Sequence, residues 1–157
     1  LTPVTWRAPD EVDAQLSALQ AVPLEQLLPA ASAVTLPQYT DDRGTLVPVD
    51  VDQVLPFDVR RAWSITHASV DTVRGRHAHF VCDQAFWCNR GYARFVLSDG
   101  QRVAETVLQS PSGLLIVPAG LWVQIDQFQL GTVLLAFASH PYDPDDYRTE
   151  LSPGSHP

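Results

Sequence analysis

Between Thr45 and Ser139 the chain falls into short segments, "TLVPV", "VRRAWSIT", "TVRGRHAH", "QAFWC", "YARFVLS", "QRVAETVL", "GLLIVP" and "GTVLLAFAS". Each is rich in β-branched or aromatic residues, the composition of a half-buried strand. Turn signals punctuate them: "DDRG" at 41–44, "NRG" at 89–91, "SDGQ" at 98–101 and "SPSG" at 110–113. Many short strands at this spacing point to an all-β sandwich or jelly-roll barrel. An apolar content of 45% over 157 residues suffices for one core. No internal repeat is evident.

The first 35 residues read differently. In "PDEVDAQLSALQAV", Asp10 suits an N-cap and Val12, Leu16 and Leu19 recur at helical spacing. Pro23 stops that helix, and "LEQLLPAAS" offers one more short turn. This predicts a helical extension over 1–35, packed on the domain surface or at a dimer contact. The polar, Pro-rich end of the chain, with a tail at 149–157, is expected to drape over the surface. A start on Leu1 rather than Met implies a fragment. No basic stretch leads into an apolar one, so no secretory signal is expected. No apolar run reaches membrane-spanning length.

The formal charge is −8, and all ten basic residues are Arg. An acidic chain without a basic stripe is a poor nucleic-acid binder. The absence of Lys excludes a Schiff-base lysine and a P-loop lysine. An anionic ligand must then be met by Arg or by backbone amides. Cys82 and Cys88 are too few for a disulfide scaffold and lack C-x-x-C spacing, so buried free thiols in a cytoplasmic protein are expected.

His77 and His79 in "RGRHAH" are two apart and so share one face of a strand. Such a pair can hold a metal, move protons or fill a barrel. Small jelly rolls of the cupin type carry H-x-H this way, with a later carboxylate and a third His. Here Asp83 stands in the carboxylate slot and Val123 in the third His slot. A catalytic cation commonly wants three protein ligands. No metal and no other cofactor is therefore expected. Proton transfer is favoured, because imidazole titrates near neutral pH.

Longer matches sharpen this. "TDDRGTLVPVDVDQVLPFDVRRAWSI", "RGRHAHFVCDQAFWCNRG", "SDGQ", "GLLIVPAGLW" and "ASHPYDPDDYR" together resemble the dTDP-4-keto-6-deoxyglucose 3,4-ketoisomerases, small metal-independent cupins of unusual-sugar pathways. The resemblance spans about residues 36–148, the expected cupin domain. Its strongest element is Arg74 to His79 followed by Gln84. The family pattern implies His77 and His79 as the acid/base pair moving a ketone between adjacent sugar carbons. It implies Arg61 and Arg74 near the sugar nucleotide, with Arg43 inside the matched "TDDRG". Gln84, Trp87, Trp122 and Tyr142 are further candidates for binding or walling the pocket. A homodimer is also implied.

Some positions depart from the pattern. Phe80 stands where the family has Lys, Asp83 where it has Glu, and Ser64 where it has a Tyr hydroxyl. Phe80 and Ser64 therefore become candidate specificity positions. They motivate a second reading: a cupin repurposed as a cofactor-free cyclase, dehydratase or isomerase for an apolar natural-product intermediate. The added leader motivates a third, a non-catalytic binding or partner subunit.

Overall fold

A computed structural model describes residues 7–29 and 32–151. The expectations touching 1–6, 30–31 and 152–157 lie outside the described residues.

The strand-like segments form two facing sheets. The six-stranded sheet runs β1 (Gln20–Ala21), β9 (Arg102–Gln109), β8 (Tyr92–Ser98), β11 (Trp122–Asp126), β6 (Arg74–His79), β13 (Tyr147–Arg148). The five-stranded sheet runs β2 (Ala33–Thr35), β10 (Gly113–Val117), β7 (Gln84–Arg90), β12 (Val133–Ala138), β5 (Arg61–Ile65). A separate hairpin joins β3 (Tyr39–Asp41) to β4 (Gly44–Leu46). The turn signals fall at strand junctions. At "NRG", Gly91 has φ 78, and a Cβ there would lie 2.4 Å from Thr132 Oγ1. Only glycine suits that reversal.

This is the expected jelly roll, flattened so that the strand ladders do not run from one sheet into the other among the described residues. Between the sheets lie Phe86, Phe95, Leu97, Leu115, Phe128 and Leu134, all buried. Alternation along each strand sends the other side chains outward. The outer face of the five-stranded sheet is covered by residues 36–59, through Leu36, Val47, Val49, Leu55 and Phe57; the short helix α2 (Val51–Val54) lies there, between β4 and β5. The outer face of the six-stranded sheet is covered by helix α1 (Glu11–Ser17). Asp10 caps α1, accepting from the Asp13 amide while the Asp13 side chain accepts from the Asp10 amide. Leu16 buries against Ala78, Val96 and Trp122, with Val12 and Leu19 alongside. Burying one such leucine stabilises the fold by about 1.5–3 kcal/mol.

Two regions carry more strand than their sequence pattern announces. Among the described residues of 1–35, α1 and a 3-10 turn at Leu24–Gln26 are helical, while Ala33–Thr35 pairs with β10. The chain end is not merely draped: Asp146 is buried, and Tyr147 and Arg148 pair with His79 and Ala78. Apolar surface alone does not fix the end; strand pairing to the free edge of β6 does. No helix of the described residues is long and apolar enough to cross a membrane.

Candidate active site

At one end of the sandwich the inward positions turn from apolar to polar. There a cavity of about 220 Å³ opens. β5 contributes Arg61, Trp63 and Ile65; β6 contributes Arg74 and His77; β7 contributes Gln84 and Phe86. Val123 and Ile125 of β11 form an apolar wall, and Tyr147 of β13 closes one side.

Strict alternation cannot place both Arg74 and His77 there. They are three residues apart, and odd spacing sends side chains to opposite faces. A β-bulge resolves this. Val123 pairs with His77 while the next residue, Gln124, pairs with Gly75, so Arg76 is the extra residue. Gly75 and Arg76 take φ of 78 and 63. A Cβ on Gly75 would sit 2.6 Å from the Val123 carbonyl oxygen, so the position demands glycine. Arg76 bears a left-handed conformation that costs about 1–2 kcal/mol in a non-glycine residue. The bulge turns Arg74 inward beside His77.

The two imidazoles meet edge to face with ring centroids 5.1 Å apart. The Tyr147 ring lies against both, at 4.7 Å from His77 and 4.5 Å from His79. Their surroundings differ. His77 is half-buried on the cavity; burial holds its pKa below the ordinary 6.5, with a backbone contact at Gly75 opposing and His79 adding to the effect. A neutral imidazole with a free nitrogen is a competent base. His79 is buried, and its Nδ1 lies 3.0 Å from Asp146 Oδ2. Beside a carboxylate, Nδ1 carries the proton, which leaves the Nε2 lone pair available. Nε2 is buried and meets no hydrogen-bonding atom of the described residues.

Asp146 is fixed by more than the histidine. Its Oδ1 accepts from the Phe80 and Val81 amides at 3.0 and 2.8 Å, and its Oδ2 accepts from the Cys82 amide at 3.2 Å. Burial opposes its ionisation, but the Val81 amide and His79 outweigh it and hold the carboxyl below 3.8. His79, Cys82 and Asp146 place ligand atoms within 4.8 Å of one another. Both Asp146 oxygens are already engaged by N–H donors, and Cys82 Sγ donates to the Asp83 carbonyl. The chemistry of this trio is that of a hydrogen-bonded corner. Asp83 does not line the cavity; its Oδ1 accepts from the Ala119 amide at 2.8 Å.

Arg61 and Arg74 supply the positive charge. The Arg61 guanidinium lies over the rings of Trp63 and Tyr142, at 4.8 and 5.3 Å. No carboxylate of the described residues pairs with either arginine. Tyr142, 62% exposed, borders a small recess with His79, Gln84 and Arg61.

The remaining candidates lie away from the cavity. Trp87 faces the outer side of β7, its indole donating to the Pro111 carbonyl at 2.6 Å. Trp122 is buried under α1 and donates to the Thr149 carbonyl. Ser64 points to the opposite face of β5 from Trp63, Phe80 is exposed past the end of β6, and Arg43 is exposed in hairpin β3–β4, paired with Asp41. Trp63, Phe86, Asp146 and Tyr147 join the site unanticipated. Trp63 shares the parity of Arg61, which is the signal that finds it.

Comparison with known proteins shows the family. Residues 30–153 match the family described as "FdtA: WxcM-like, C-terminal". A TDP-4-oxo-6-deoxy-alpha-D-glucose-3,4-oxoisomerase of Aneurinibacillus thermoaerophilus is 32% identical over 114 residues, 73% of this chain and 82% of that protein. The sugar 3,4-ketoisomerase QdtA of Thermoanaerobacterium thermosaccharolyticum, solved with TDP, superposes with a TM-score of 0.71 at 30% identity, over 75% of this chain and 86% of QdtA. The WlaRB TDP-quinovose 3,4-ketoisomerase of Campylobacter jejuni gives the same TM-score at 27% identity, over 75% of this chain and 91% of its own. With the match over residues 30–153 and these likenesses, the chain belongs to the FdtA family and is an isomerase.

Proposed function

We propose that this isomerase shifts a ketone between C4 and C3 of a TDP-4-keto-6-deoxy sugar, with His77 and His79 moving the protons. The observation that carries the reading is the histidine pair at a cavity flanked by two arginines that no carboxylate of the described residues pairs with. At about 220 Å³ the cavity is smaller than the roughly 300–1,000 Å³ that enclose a drug-sized ligand. It suits one hexose ring, with the diphosphate toward Arg61 and Arg74, whose forked donors match phosphate.

His77, neutral and on the cavity, removes the proton on C3. The electron pair forms the C3–C4 double bond, and the C4 carbonyl becomes an enediolate oxygen. The C3 hydroxyl then gives up its proton as C3 becomes the carbonyl, while C4 and its oxygen each take one. His79, its Nδ1 held by Asp146 and its Nε2 meeting no hydrogen-bonding atom of the described residues, is the second group to carry a proton in this reading. Arg61 and Arg74, the two cations lining the cavity, are the charges available to the oxyanion. A homodimer belongs to the same reading: hairpin β3–β4 stands off the main sheets with Tyr39 and Leu46 exposed, a surface suited to a second copy.

Incubation with TDP-4-keto-6-deoxyglucose in deuterated water tests the reaction. A 3-keto product carrying deuterium at C4 is expected; the absence of both label and isomer would refute the reaction. The apolar wall of Ile65, Phe86, Val123 and Ile125 favours, as the second reading, an apolar intermediate in the same cavity. Thermal stabilisation by dTDP, through mass action on the folded state, separates the two.

A further inference from the structure

The bulge in β6 has an external clamp. Arg76 is the inserted residue, and its side chain leaves the strand on the side away from the cavity. Its Nη1 and Nη2 donate to Asp10 Oδ2 and Oδ1 at 2.8 and 3.1 Å, a forked pairing with the N-cap of α1. Asp13 lies 3.7 Å from Nη2, and its carboxylate also holds Arg7. The Arg76 Nε donates to Gln124 Oε1 at 2.8 Å. The row continues inward: Gln124 Nε2 donates to Asp126 Oδ2 at 2.6 Å, and Arg94 donates to both Asp126 oxygens at 2.8 and 2.9 Å. Gln124 and Asp126 are fully buried. The hydrogen bond from Arg76 also holds the Asp10 carboxyl well below the usual carboxylate range.

The residues on either side of this bulge, Arg74 and His77, face the cavity. Whatever holds Arg76 in its left-handed conformation therefore fixes the angle at which both enter. The clamp comes from residues 7–17, ahead of the part that matches the family at 30–153.

We propose that Arg76 is a positioning residue, clamped by Asp10 of the α1 leader, and that this outer ion pair sets the geometry of His77 and Arg74 in the site. The proposal rests on the ketoisomerase reading for its consequence in turnover, and on the bulge geometry for its consequence in structure. The leader is thereby part of the catalytic apparatus without touching substrate. Loosening the clamp degrades the alignment of a proton-transfer step that depends on sub-ångström placement.

The test uses the intact chain, Asp10→Ser, Arg76→Gly and the two combined. Ser keeps an N-cap of comparable strength, so α1 persists while Arg76 loses its main carboxylate. Gly accepts the positive φ, so the bulge persists without the guanidinium. Each single variant is expected to lower kcat by ~10- to 100-fold. KM is expected to stay within about twofold, the signature of lost alignment rather than lost binding. The combined variant should be no worse than Arg76→Gly, because both cut one contact. A lower melting temperature with unchanged kcat would make the contact merely structural and overturn the proposal.

The His77 imidazole resonances, followed by NMR without substrate, give a second readout. They should move in both single variants; unmoved resonances overturn the proposal whatever the turnover. Moved resonances in a chain that never turns over this sugar support the clamp and refute the ketoisomerase reading alone.

Discussion

His77 and His79 leave β6 on the same side, 5.1 Å apart, and enter two different regions. Around His77 the site is open: a cavity, an apolar wall and two arginines with no carboxylate partner among the described residues. Around His79 it is sealed: a buried carboxylate accepts hydrogen bonds from the ring and from three backbone amides. In the proposed mechanism the open region is where His77 changes its protonation. The sealed region holds His79 in one ring orientation. Identical side chains two residues apart thus acquire separate tasks from what surrounds them.

The largest effect expected from this contrast is on turnover. His77→Asn should lower kcat by ~10²–10⁴-fold, as loss of a general base does, with the urea midpoint nearly unmoved. Steady-state kinetics alongside urea denaturation checks it; a collapsed midpoint would place His77 in the sealed class. Next comes Asp146→Asn, which sets an amide NH₂ against backbone N–H donors. It should destabilise the fold by about 3 kcal/mol, in the range for a broken buried charge-assisted network. An unchanged midpoint would show that the corner around His79 is not the anchor described.

Acid separates the two regions in sequence. Because the folded His77 is held below its ordinary 6.5, the unfolded chain binds more protons as pH falls past that value, and stability declines from there to the folded value. Asp146 has the opposite chemistry. Its folded pKa is depressed, so its contribution is complete above its ordinary 3.8 and is lost as pH falls through the lower folded value. Denaturation midpoints measured against pH should show two declines, and His77→Asn should abolish only the upper one. The smallest effect is at Phe80→Lys. It should change stability by less than about 0.5 kcal/mol, as exposed positions do. If the nucleotide passes over this position, dTDP affinity measured by calorimetry should rise up to about fivefold, the value of one exposed ion pair.

The period-two pattern and the turn signals made the sheets legible, because burial on one face imposes alternation and tight reversals need Gly, Asn or Asp. The histidine pair was legible for the same reason. What alternation does not say is which face is inside. Trp87 and Trp122 therefore read like pocket walls although each lies on the outer surface of its sheet. Asp146 was hidden by distance: it stands 67 residues from His79, in a polar segment whose pairing with the edge of β6 no local pattern announces. Gly75 signals a bulge, but which neighbour is inserted depends on register with β11.

A β-strand is read in twos, and the Gly75–Arg76 bulge is a frameshift within that code. Upstream and downstream of it the strand carries two separate messages, one ending in Arg74 and one beginning at His77. Pairing Arg76 into the ladder, with no residue removed, would leave both histidines in frame and move Arg74 to the outer surface. The chain can thus change what meets the far end of its substrate without touching the residues that handle its protons.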